Sequence, residues 1–331
     1  MSTTNFWTEK KVLITGGAGF IGSHLVEMLV EQGAKVRVAV SRPLDQTGQR
    51  NLAQVKSAIE IMVADLRDLD QALAATANQE YVINAAAKVA GVHWNMNHPA
   101  TMFRENMLIG MNVLEAAHQN DCERFLVVSS ACVYPRYCTI PTPESEGFTG
   151  EPEPTNVGYG WSKRMSEFLG QAYHEEYGMT VGIARPYNAY GPRDNFDPER
   201  SHVVPGIIQR LFSGENPFHV WGDGEQSRSF LYVKDFARGL MEIMEKYSEP
   251  DALNLGANEE TKIKDLVGLI METAGKSDVP VVFDTTKPTG QPRRSCDTSK
   301  AEAKIGWKPE YDLRRGIEET VAWYRENNDH S

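Results

Sequence analysis

Long apolar runs and patterned cysteines are both missing from this sequence of 331 residues. No stretch approaches the roughly eighteen apolar residues of a transmembrane helix, and residues 1–11 lack the apolar segment of a secretory signal. The four cysteines show no metal-ligand or C-x-x-C spacing, which favours reduced thiols over a disulfide framework. We therefore expect a cytoplasmic protein with no membrane partner.

Positive charge is also scarce. The chain has 34 Lys and Arg against 45 Asp and Glu, which gives a formal net charge of −11. Because nucleic acids and anionic membranes attract basic surfaces, this acidity predicts neither of them as a partner. It leaves room for a small anionic ligand where arginines and lysines gather locally.

The first apolar run ends in a glycine-rich turn. Residues 11–15 are apolar and β-branched, and a helical pattern extends from the turn to about Gln32. A strand, a glycine turn and a helix in this order are typical of dinucleotide-binding units, in which the turn and the helix N-terminus hold a pyrophosphate. The residues expected to contact this group are Gly16, Gly19, Phe20, Ile21 and Gly22.

The end of the second predicted strand, residues 35–40, indicates which dinucleotide binds. NAD-binding units usually place a carboxylate there for the ribose 2′-hydroxyl, but here Ser41 and Arg42 follow, and the first carboxylate is Asp45. A guanidinium can pair with a 2′-phosphate, which a carboxylate would repel. We expect NADP(H), with NAD as the alternative if Arg42 is only a solvated loop charge.

Strands and helices alternate through the first 190 residues. Further strands are predicted at residues 59–63, 81–85, 124–129 and 180–185, with a long helix at 99–120. This alternation predicts an α/β fold, a Rossmann-like doubly wound parallel sheet. Residues just beyond two of the strand ends are expected to contact the cofactor, namely Asp65, Leu66, Ala86 and Lys88.

Beyond residue 190 the alternation weakens. We expect helix 234–246 and strand 252–255 to return to the main sheet, so that residues 1–190 and about 234–256 form the dinucleotide-binding domain. Residues from about 191–233 and 257–331 then form a smaller C-terminal α/β lobe. Its cations and indole suggest a site for a nucleotide diphosphate sugar, the alternative being scattered surface charge: Arg210, Trp221, Arg228, Lys287, Arg293 and Arg294.

Two short motifs carry groups capable of proton transfer. Residues 127–135 read as a buried strand running into a loop, and Ser130 and Cys132 should point to the same side if the extended path lasts that far. The alternative is two small buried residues that fill a strand end. Tyr159 and Lys163 are four residues apart in a predicted helix, so both can face one cleft. A neighbouring ammonium would lower the pKa of Tyr159, although such pairs are also common on helix surfaces.

The glycine pattern at 16–22 together with Ser130, Tyr159 and Lys163 resembles the extended short-chain dehydrogenase/reductases, over nearly the whole chain. Within that group, two families match further segments. Segments that resemble GDP-L-fucose synthase are 84–91, 201–205 and 287–293. Segments that resemble GDP-mannose 3,5-epimerase are 129–135 and 221–230.

His202 distinguishes these two families, because the synthase has histidine at this position and the epimerase has lysine. The resemblance is therefore stronger to the synthase. That family epimerises C3 and C5 of GDP-4-keto-6-deoxymannose and then reduces C4 with NADPH. An epimerase-like reaction with NAD and without net redox change is the alternative.

The resemblance implies a role for each matching residue. Cys132 is the implied base and His202 the implied acid of epimerisation. Tyr159 would give a proton to the C4 oxygen, Lys163 would support Tyr159 and bind the ribose, and Ser130 would donate a hydrogen bond to that oxygen. The implied contacts to a GDP-linked sugar are Asn188, Val204, Arg210, Trp221, Arg228, Lys287 and Arg293.

The resemblance also implies a homodimer formed through helices 99–120 and 162–177. One departure from the family concerns the cofactor. The synthase has an arginine inside its glycine turn, whereas this chain has Ala18. This leaves Ser41 and Arg42 as the residues expected to hold the 2′-phosphate.

Overall fold

The computed structural model describes residues 5–89, 91–247, 249–287 and 291–328. Helices and strands alternate along the first half of the chain. The strands are β1 Lys11–Thr15, β2 Lys35–Val40, β3 Ile59–Val63, β4 Tyr81–Asn84, β5 Arg124–Val128, β6 Thr180–Pro186, β7 Ala189–Tyr190, β8 Phe218–Trp221, β9 Ser227–Arg228, β10 Leu231–Tyr232, β11 Leu253–Leu255, β12 Thr261–Lys262, β13 Val281–Asp284 and β14 Arg293–Arg294. The helices are α1 Phe20–Glu31, α2 Gln46–Asn51, α3 Leu69–Thr76, α4 Val92–Asn97, α5 Pro99–Gln119, α6 Val157–Tyr177, α7 Val203–Phe212, α8 Val233–Lys246, α9 Ile263–Ala274, α10 Ser299–Ile305 and α11 Leu313–Asn328.

Seven of the described strands form one sheet in the order β11-β6-β5-β4-β1-β2-β3. Neighbouring strands in this sheet are parallel, with β1 between β2 and β4. Strand order therefore reverses between β1 and β4, and open α/β sheets bind ligands beyond the carboxyl ends at such a point. The doubly wound Rossmann-like sheet predicted from the alternating pattern is confirmed.

Apolar clusters pack on both faces of this sheet. One cluster includes Ile14, Val38 and Leu240, and the other includes Leu13, Val82 and Val113. Leu13 and Ile14 are neighbours on β1 and belong to different clusters because successive strand side chains point to opposite faces. The near-continuous apolar strands of the sequence follow from this burial on both sides.

The C-terminal part forms a separate apolar cluster with short strands around it. Helices α7, α9 and α11 contribute Ile208, Leu266 and Ile317 to this cluster. The small sheets are β12-β9-β14, β8 with β13, and β7 with β10. Strand β11 pairs with β6, so residues 252–255 return to the main sheet as the sequence predicted.

Within the described part of the chain, no helix is both long and apolar enough to cross a lipid bilayer.

Candidate active site

The glycine turn between β1 and α1 has a backbone that side chains would obstruct. Gly16 has φ +69°, and a Cβ atom added at Gly22 would lie 2.3 Å from the Gly16 carbonyl oxygen. Helix α1 starts at Phe20, and its N-cap residue Gly19 provides no side-chain hydrogen bond to the first turn. The first N–H groups of this 12-residue helix are therefore left for a ligand, which is the arrangement that holds a pyrophosphate.

A cleft of about 1380 Å³ opens in front of this turn. Every cofactor residue predicted on the turn and on the strand ends lines it: Gly16, Gly19, Phe20, Ile21, Gly22, Ser41, Arg42, Asp65, Leu66, Ala86 and Lys88. The glycine cradle and the free helix N-terminus fit a dinucleotide. Sequence reasoning missed further lining residues, among them Arg50, Arg193, Arg200 and Trp323.

Two side chains that are predicted to contact the cofactor pair with charged neighbours in the protein. Arg42 is 79% exposed and its guanidinium lies 3.5 Å from the Asp45 carboxylate. Asp65 accepts hydrogen bonds from Arg67, which hold the pKa of this carboxyl below its usual range. Arg67 also pairs with Glu105, so Asp65 belongs to a short network of charges at the edge of the cleft.

Ser130 and Cys132 are brought together by a capped turn and not by strand alternation. Strand β5 ends at Val128, and residues 131–133 form a 3₁₀ turn whose N-cap is Ser130. The Ser130 hydroxyl accepts a hydrogen bond from the Cys132 N–H at 3.1 Å. Ser130 still has extended backbone angles (φ −163°, ψ 154°), but the chain turns at Ala131, so the extended path does not reach Cys132. A serine side chain that bonds a nearby N–H competes with strand geometry.

Tyr159 and Lys163 lie on α6 and face the same turn. The Lys163 ammonium lies 5.5 Å from the Tyr159 ring centroid and donates to the Val128 carbonyl at 2.7 Å. A hydrogen bond also joins the Tyr159 and Ser130 side chains. The structure thus brings four predicted catalytic residues together: Ser130, Cys132, Tyr159 and Lys163.

The electrostatic effect on Tyr159 is opposite to the sequence prediction. Burial raises the pKa of Tyr159, an effect that Cys132 reinforces and the Ser130 hydrogen bond only partly offsets. Burial lowers the pKa of Lys163 to about 8, against the opposing influence of Cys132 and Glu167. The prediction that Lys163 lowers the pKa of Tyr159 is wrong for this structure because desolvation outweighs the neighbouring charge. The phenol keeps its proton at neutral pH, as a proton donor must.

Arg294 reaches the Cys132 side chain from the C-terminal lobe. Its guanidinium is hydrogen-bonded to Cys132 and lies 6.0 Å from the Tyr187 ring centroid. Strand β14 pairs in parallel with β9, with Arg294 opposite Arg228. Burial, followed by the charge of Arg294, lowers the pKa of Arg228 to about 10. The Arg294 guanidinium therefore lies beside the thiol, with Arg228 next to it across the strand pair.

Arg293, predicted to bind substrate, instead pairs with the carboxylate of Glu260 at 2.5 Å, and its side chain is 59% exposed. Neighbouring strand residues point to opposite sides, so Arg293 and Arg294 cannot face the same surface. The alternation of side chains along a strand could have assigned Arg293 and Arg294 to opposite faces if the two-residue strand β14 had been recognised from the sequence. Its pairing partner is 66 positions away, which leaves little local signal.

His202 lies at the start of α7 and lines the large cleft. Its Nδ1 atom is 4.0 Å from a carboxylate oxygen of Asp194, whose side chain is only 2% exposed. The Asp194 carboxylate, as the acceptor for the imidazole N–H, raises the pKa of His202, which favours the protonated imidazole. No contact found in the described residues joins His202 to Cys132, so its role as the acid stays a prediction.

The remaining predicted substrate residues are dispersed over the C-terminal lobe. Asn188 donates to the Ser229 carbonyl at 2.8 Å, and Arg210 pairs with Glu215. Val204 is buried in the apolar cluster of the lobe, and Trp221 is 58% exposed. Lys287 is exposed.

Two of the motifs that carried the resemblance extend beyond the described chain. Ala90 of the segment 84–91 lies outside the described residues, and so do Pro288, Thr289 and Gly290 of the segment 287–293.

A buried ionic network supports the capped turn from behind. Glu167 pairs with Arg185 at 2.6 Å and accepts a hydrogen bond from Ser129. Arg185 also donates to the Tyr134 hydroxyl at 3.1 Å, and Tyr134 donates to Asn254 at 2.6 Å. Because a buried pair costs desolvation unless its remaining groups are hydrogen-bonded, this saturated network fixes the turn that carries Ser130 and Cys132.

Comparison with known proteins identifies the family to which this chain belongs. The model of the family described as NAD dependent epimerase/dehydratase family matches residues 12–256. The chain is 34% identical over 322 residues to GDP-L-fucose synthase 1 of Arabidopsis thaliana, which covers 96% of this chain and 94% of that protein.

Two solved structures are similar over nearly the whole chain. One is a GDP-L-fucose synthetase from Naegleria fowleri bound to NADP, with a TM-score of 0.81 and 25% identity, covering 98% of this chain and 96% of that one. The other is DesIV, a dTDP-glucose 4,6-dehydratase from Streptomyces venezuelae with NAD and TYD bound, with a TM-score of 0.82 and 28% identity, covering 96% and 98%. The expected membership of the extended short-chain dehydrogenase/reductases is confirmed, and the chain belongs to the NAD dependent epimerase/dehydratase family.

Proposed function

We propose that this enzyme is an NADPH-dependent epimerase/reductase of a 4-keto-6-deoxy nucleotide sugar, with a GDP-linked substrate. The observation that carries the proposal is the cluster of a thiol, a phenol, a hydroxyl and two cations at one strand end. Ser130, Cys132 and Tyr159 are linked by hydrogen bonds through Ser130, and Arg294 is bonded to the Cys132 side chain. The similarity to GDP-L-fucose synthases of the family supports the sugar and the nucleotide.

Epimerisation uses the acidity that a C4 ketone gives to the neighbouring carbons. The Cys132 thiolate takes the proton from C3 or C5, so the C–H bond breaks, an S–H bond forms, and the electron pair passes to the C4 oxygen as an enolate. Ser130 and Tyr159 donate hydrogen bonds to that oxygen. Return of a proton from the opposite face by His202 inverts the carbon.

Arg294 supplies what a thiol needs for this step. An ordinary thiol is only a few per cent thiolate at neutral pH, and a neighbouring guanidinium stabilises the anion. Arg228, in register with Arg294, is placed to bind an anionic part of the substrate.

Reduction needs a proton at the C4 oxygen and a fixed cofactor. When bound, the nicotinamide supplies hydride to C4. Tyr159, which burial keeps protonated, gives its proton to the oxygen. Lys163, held by the Val128 carbonyl, is placed to bind the ribose, and the glycine turn with the α1 N-terminus holds the pyrophosphate.

An incubation of the enzyme with a GDP-4-keto-6-deoxy sugar and NADPH in D₂O tests the proposal. We expect deuterium at C3 and C5 of the product and stoichiometric oxidation of NADPH. A product that carries deuterium without NADPH oxidation would remove the reductase half. Oxidation of NADPH without deuterium would remove the epimerase half.

An epimerase without net redox change, using bound NAD, is the second candidate. It is favoured by the glycine turn, which has Ala18 where the synthase family has arginine, and by the similarity to an NAD-bound dehydratase. This candidate predicts that the cofactor released on denaturation lacks a 2′-phosphate. It also predicts catalytic turnover with no change in NADPH absorbance.

We also propose the domain boundaries and the homodimer that the sequence suggested. The described α5 and α6 carry exposed apolar side chains, including Phe103, Met111 and Phe168. An apolar surface of this kind on two neighbouring helices is typical of a subunit interface. Sedimentation of the purified protein distinguishes a dimer from a monomer.

A further inference from the structure

Helix α2 brings a cation to the glycine turn that the sequence did not reveal. Asp45 caps the helix by accepting a hydrogen bond from the Gly48 N–H at 2.8 Å. At the other end, the Asn51 amide donates to the Ala18 carbonyl at 3.0 Å. The helix is thereby fastened against the turn at the position where the related synthases have arginine.

Arg50, in the last turn of α2, lines the cofactor cleft. Its guanidinium carbon lies 4.9 Å from the ring centroid of Trp323 on the C-terminal helix α11. Trp323 in turn stacks on Phe196, with 5.8 Å between ring centroids and an interplanar angle of 25°. A guanidinium on an indole face keeps its edge N–H groups available while the stacking restricts its motion.

The charges around Arg50 leave it available for an anion. Three other arginines of the cleft are engaged: Arg42 with Asp45, Arg67 with Asp65 and Glu105, and Arg193 with Glu27. Arg200 also lines the cleft, but it lies far along the chain from the segment after β2, where dinucleotide-binding units recognise the ribose. In the described part of the chain, by contrast, Arg50 makes no ion pair within 4.0 Å of a carboxylate. An unpaired guanidinium beside a dinucleotide cleft suits a phosphate that accepts two parallel hydrogen bonds.

The carboxylate that an NAD site would use is occupied. Asp45 is the first carboxylate after β2, and one of its oxygens caps α2 while the other faces Arg42 at 3.5 Å. A ribose 2′-hydroxyl would have to displace one of these partners. A phosphate at this ribose position needs cations instead, and Arg42 and Arg50 both line the cleft.

We propose that Arg50, braced by Trp323, binds the 2′-phosphate of NADP(H) and so determines cofactor choice together with Arg42. This inference rests on the proposed NADPH dependence and names the residues that would produce it. It also makes the C-terminal helix α11 a wall of the cofactor site, through the stack of Arg50, Trp323 and Phe196. The cation that Ala18 does not supply thus comes from α2.

The test compares NADP⁺ and NAD⁺ binding to the purified full-length chain by titration calorimetry. For Arg50→Met we expect about a 10- to 100-fold loss of NADP⁺ affinity, as for a charged hydrogen bond, with NAD⁺ affinity changed less than about threefold. Trp323→Leu, which frees the guanidinium without removing it, should cause a smaller loss in the same direction. Circular dichroism confirms that each variant is folded.

Arg314→Met is the control, because Arg314 lies on α11 like Trp323, pairs with Glu272 and is not among the residues that line the cleft. It should leave the ratio of NADP⁺ to NAD⁺ affinity unchanged. An equal loss of both cofactors in Arg50→Met would place Arg50 at a shared group such as the pyrophosphate and overturn the inference. An unchanged ratio in Arg50→Met would overturn it as well.

The unmodified protein separates this inference from the proposed function. If it prefers NADP⁺ and Arg50→Met keeps that preference, the role of Arg50 fails while the NADPH-dependent function stands. If the unmodified protein itself does not prefer NADP⁺, the cofactor assignment fails and the Arg50 inference falls with it.

Discussion

The cofactor cleft and the catalytic cluster are built differently. On the cofactor side the ligand surface is mainly backbone, formed by the glycine turn and the first N–H groups of α1. On the predicted substrate side, the catalytic cluster lies outside the residues that line the cleft and is made of side chains that meet from distant segments, such as Cys132 with Arg294. Backbone surfaces are specified by short local patterns, whereas side-chain pairs depend on the whole fold.

This contrast predicts two kinds of effect. Single substitutions in the catalytic cluster should change reduction and deuterium exchange to different extents, and substitutions in the glycine turn should remove both activities. Tyr159→Phe should have the largest selective effect. We expect NADPH-dependent reduction to fall by about 10²- to 10⁴-fold, because the proton donor to C4 is lost. Deuterium exchange should fall less, because Ser130 still stabilises the enolate. Product analysis by mass spectrometry in D₂O measures both.

Tyr173→Phe is the control for this substitution. Tyr173 lies on the same helix and donates to Glu115, away from the catalytic cluster. It should leave both activities unchanged. An equal loss of reduction and exchange in Tyr159→Phe would contradict the separate roles of the phenol and the thiol.

Gly22→Ala should remove both activities by preventing cofactor binding. Its Cβ atom would lie 2.3 Å from the Gly16 carbonyl oxygen, so the turn would have to shift, and overpacking of this kind costs the fold about 1 to 3 kcal/mol. Gly268→Ala in α9 is the matched control, since nothing lies within 4 Å of its Cβ position. It should raise stability by about 1 kcal/mol, as removal of a glycine from a helix interior does. Normal cofactor titration in Gly22→Ala would refute the tight turn.

Arg294→Met and Arg293→Met compare neighbouring cations on opposite sides of β14. We expect the first to slow deuterium exchange by about 10- to 100-fold, because the thiolate loses a charged hydrogen bond. The second should change exchange less than about threefold, because Arg293 is in an exposed pair with Glu260. Equal losses of exchange in the two variants would show that exchange depends on the total charge of the C-terminal lobe and not on the contact between Arg294 and Cys132.

The pH dependence of reduction tests the burial of Lys163. Burial lowers its pKa to about 8, and Cys132 and Glu167 are the charged groups that oppose this effect. The ammonium is present below that pH and lost above it, so kcat/KM for reduction should decline as pH rises through about 8. Lys163→Arg keeps a positive charge in this range and should remove the decline in whatever activity it retains. If kcat/KM of Lys163→Arg falls at the same pH as in the unmodified protein, the titrating group is not Lys163.

Asp194→Asn should have the smallest effect. The Asp194 carboxylate raises the pKa of His202, so its removal should lower the pH at which the imidazole titrates. Nuclear magnetic resonance of the His202 ring measures this directly, without reference to activity. An unchanged titration would show that the 4.0 Å separation is too long for Asp194 to influence the histidine.

Sequence alone predicted the main sheet and the glycine turn well, for physical reasons. Strands β1, β2 and β3 begin and end where the apolar pattern predicted. The central strand β1 reads as an apolar run because it is buried on both faces, whereas the edge strand β3 has no buried residue. The glycine pattern also predicted the turn correctly, because the backbone leaves no room for a side chain at Gly22. Both features depend on neighbours along the chain.

Sequence predicted only part of the catalytic cluster. Ser130, Cys132, Tyr159 and Lys163 were identified individually, but the capped turn that holds Ser130 and Cys132 was mistaken for strand. The direction of the Tyr159 pKa was wrong because burial is a property of the folded protein. Arg294 and Arg50 act through contacts with segments more than 150 positions away, which no local pattern encodes.

The most direct test is the deuterium content of the sugar after incubation with Cys132→Ser in D₂O. If Cys132 is the base, exchange at C3 and C5 is abolished while cofactor binding and circular dichroism match those of the unmodified protein. Exchange at the unmodified rate would exclude Cys132 from proton transfer and contradict the assignment of epimerisation to this cluster.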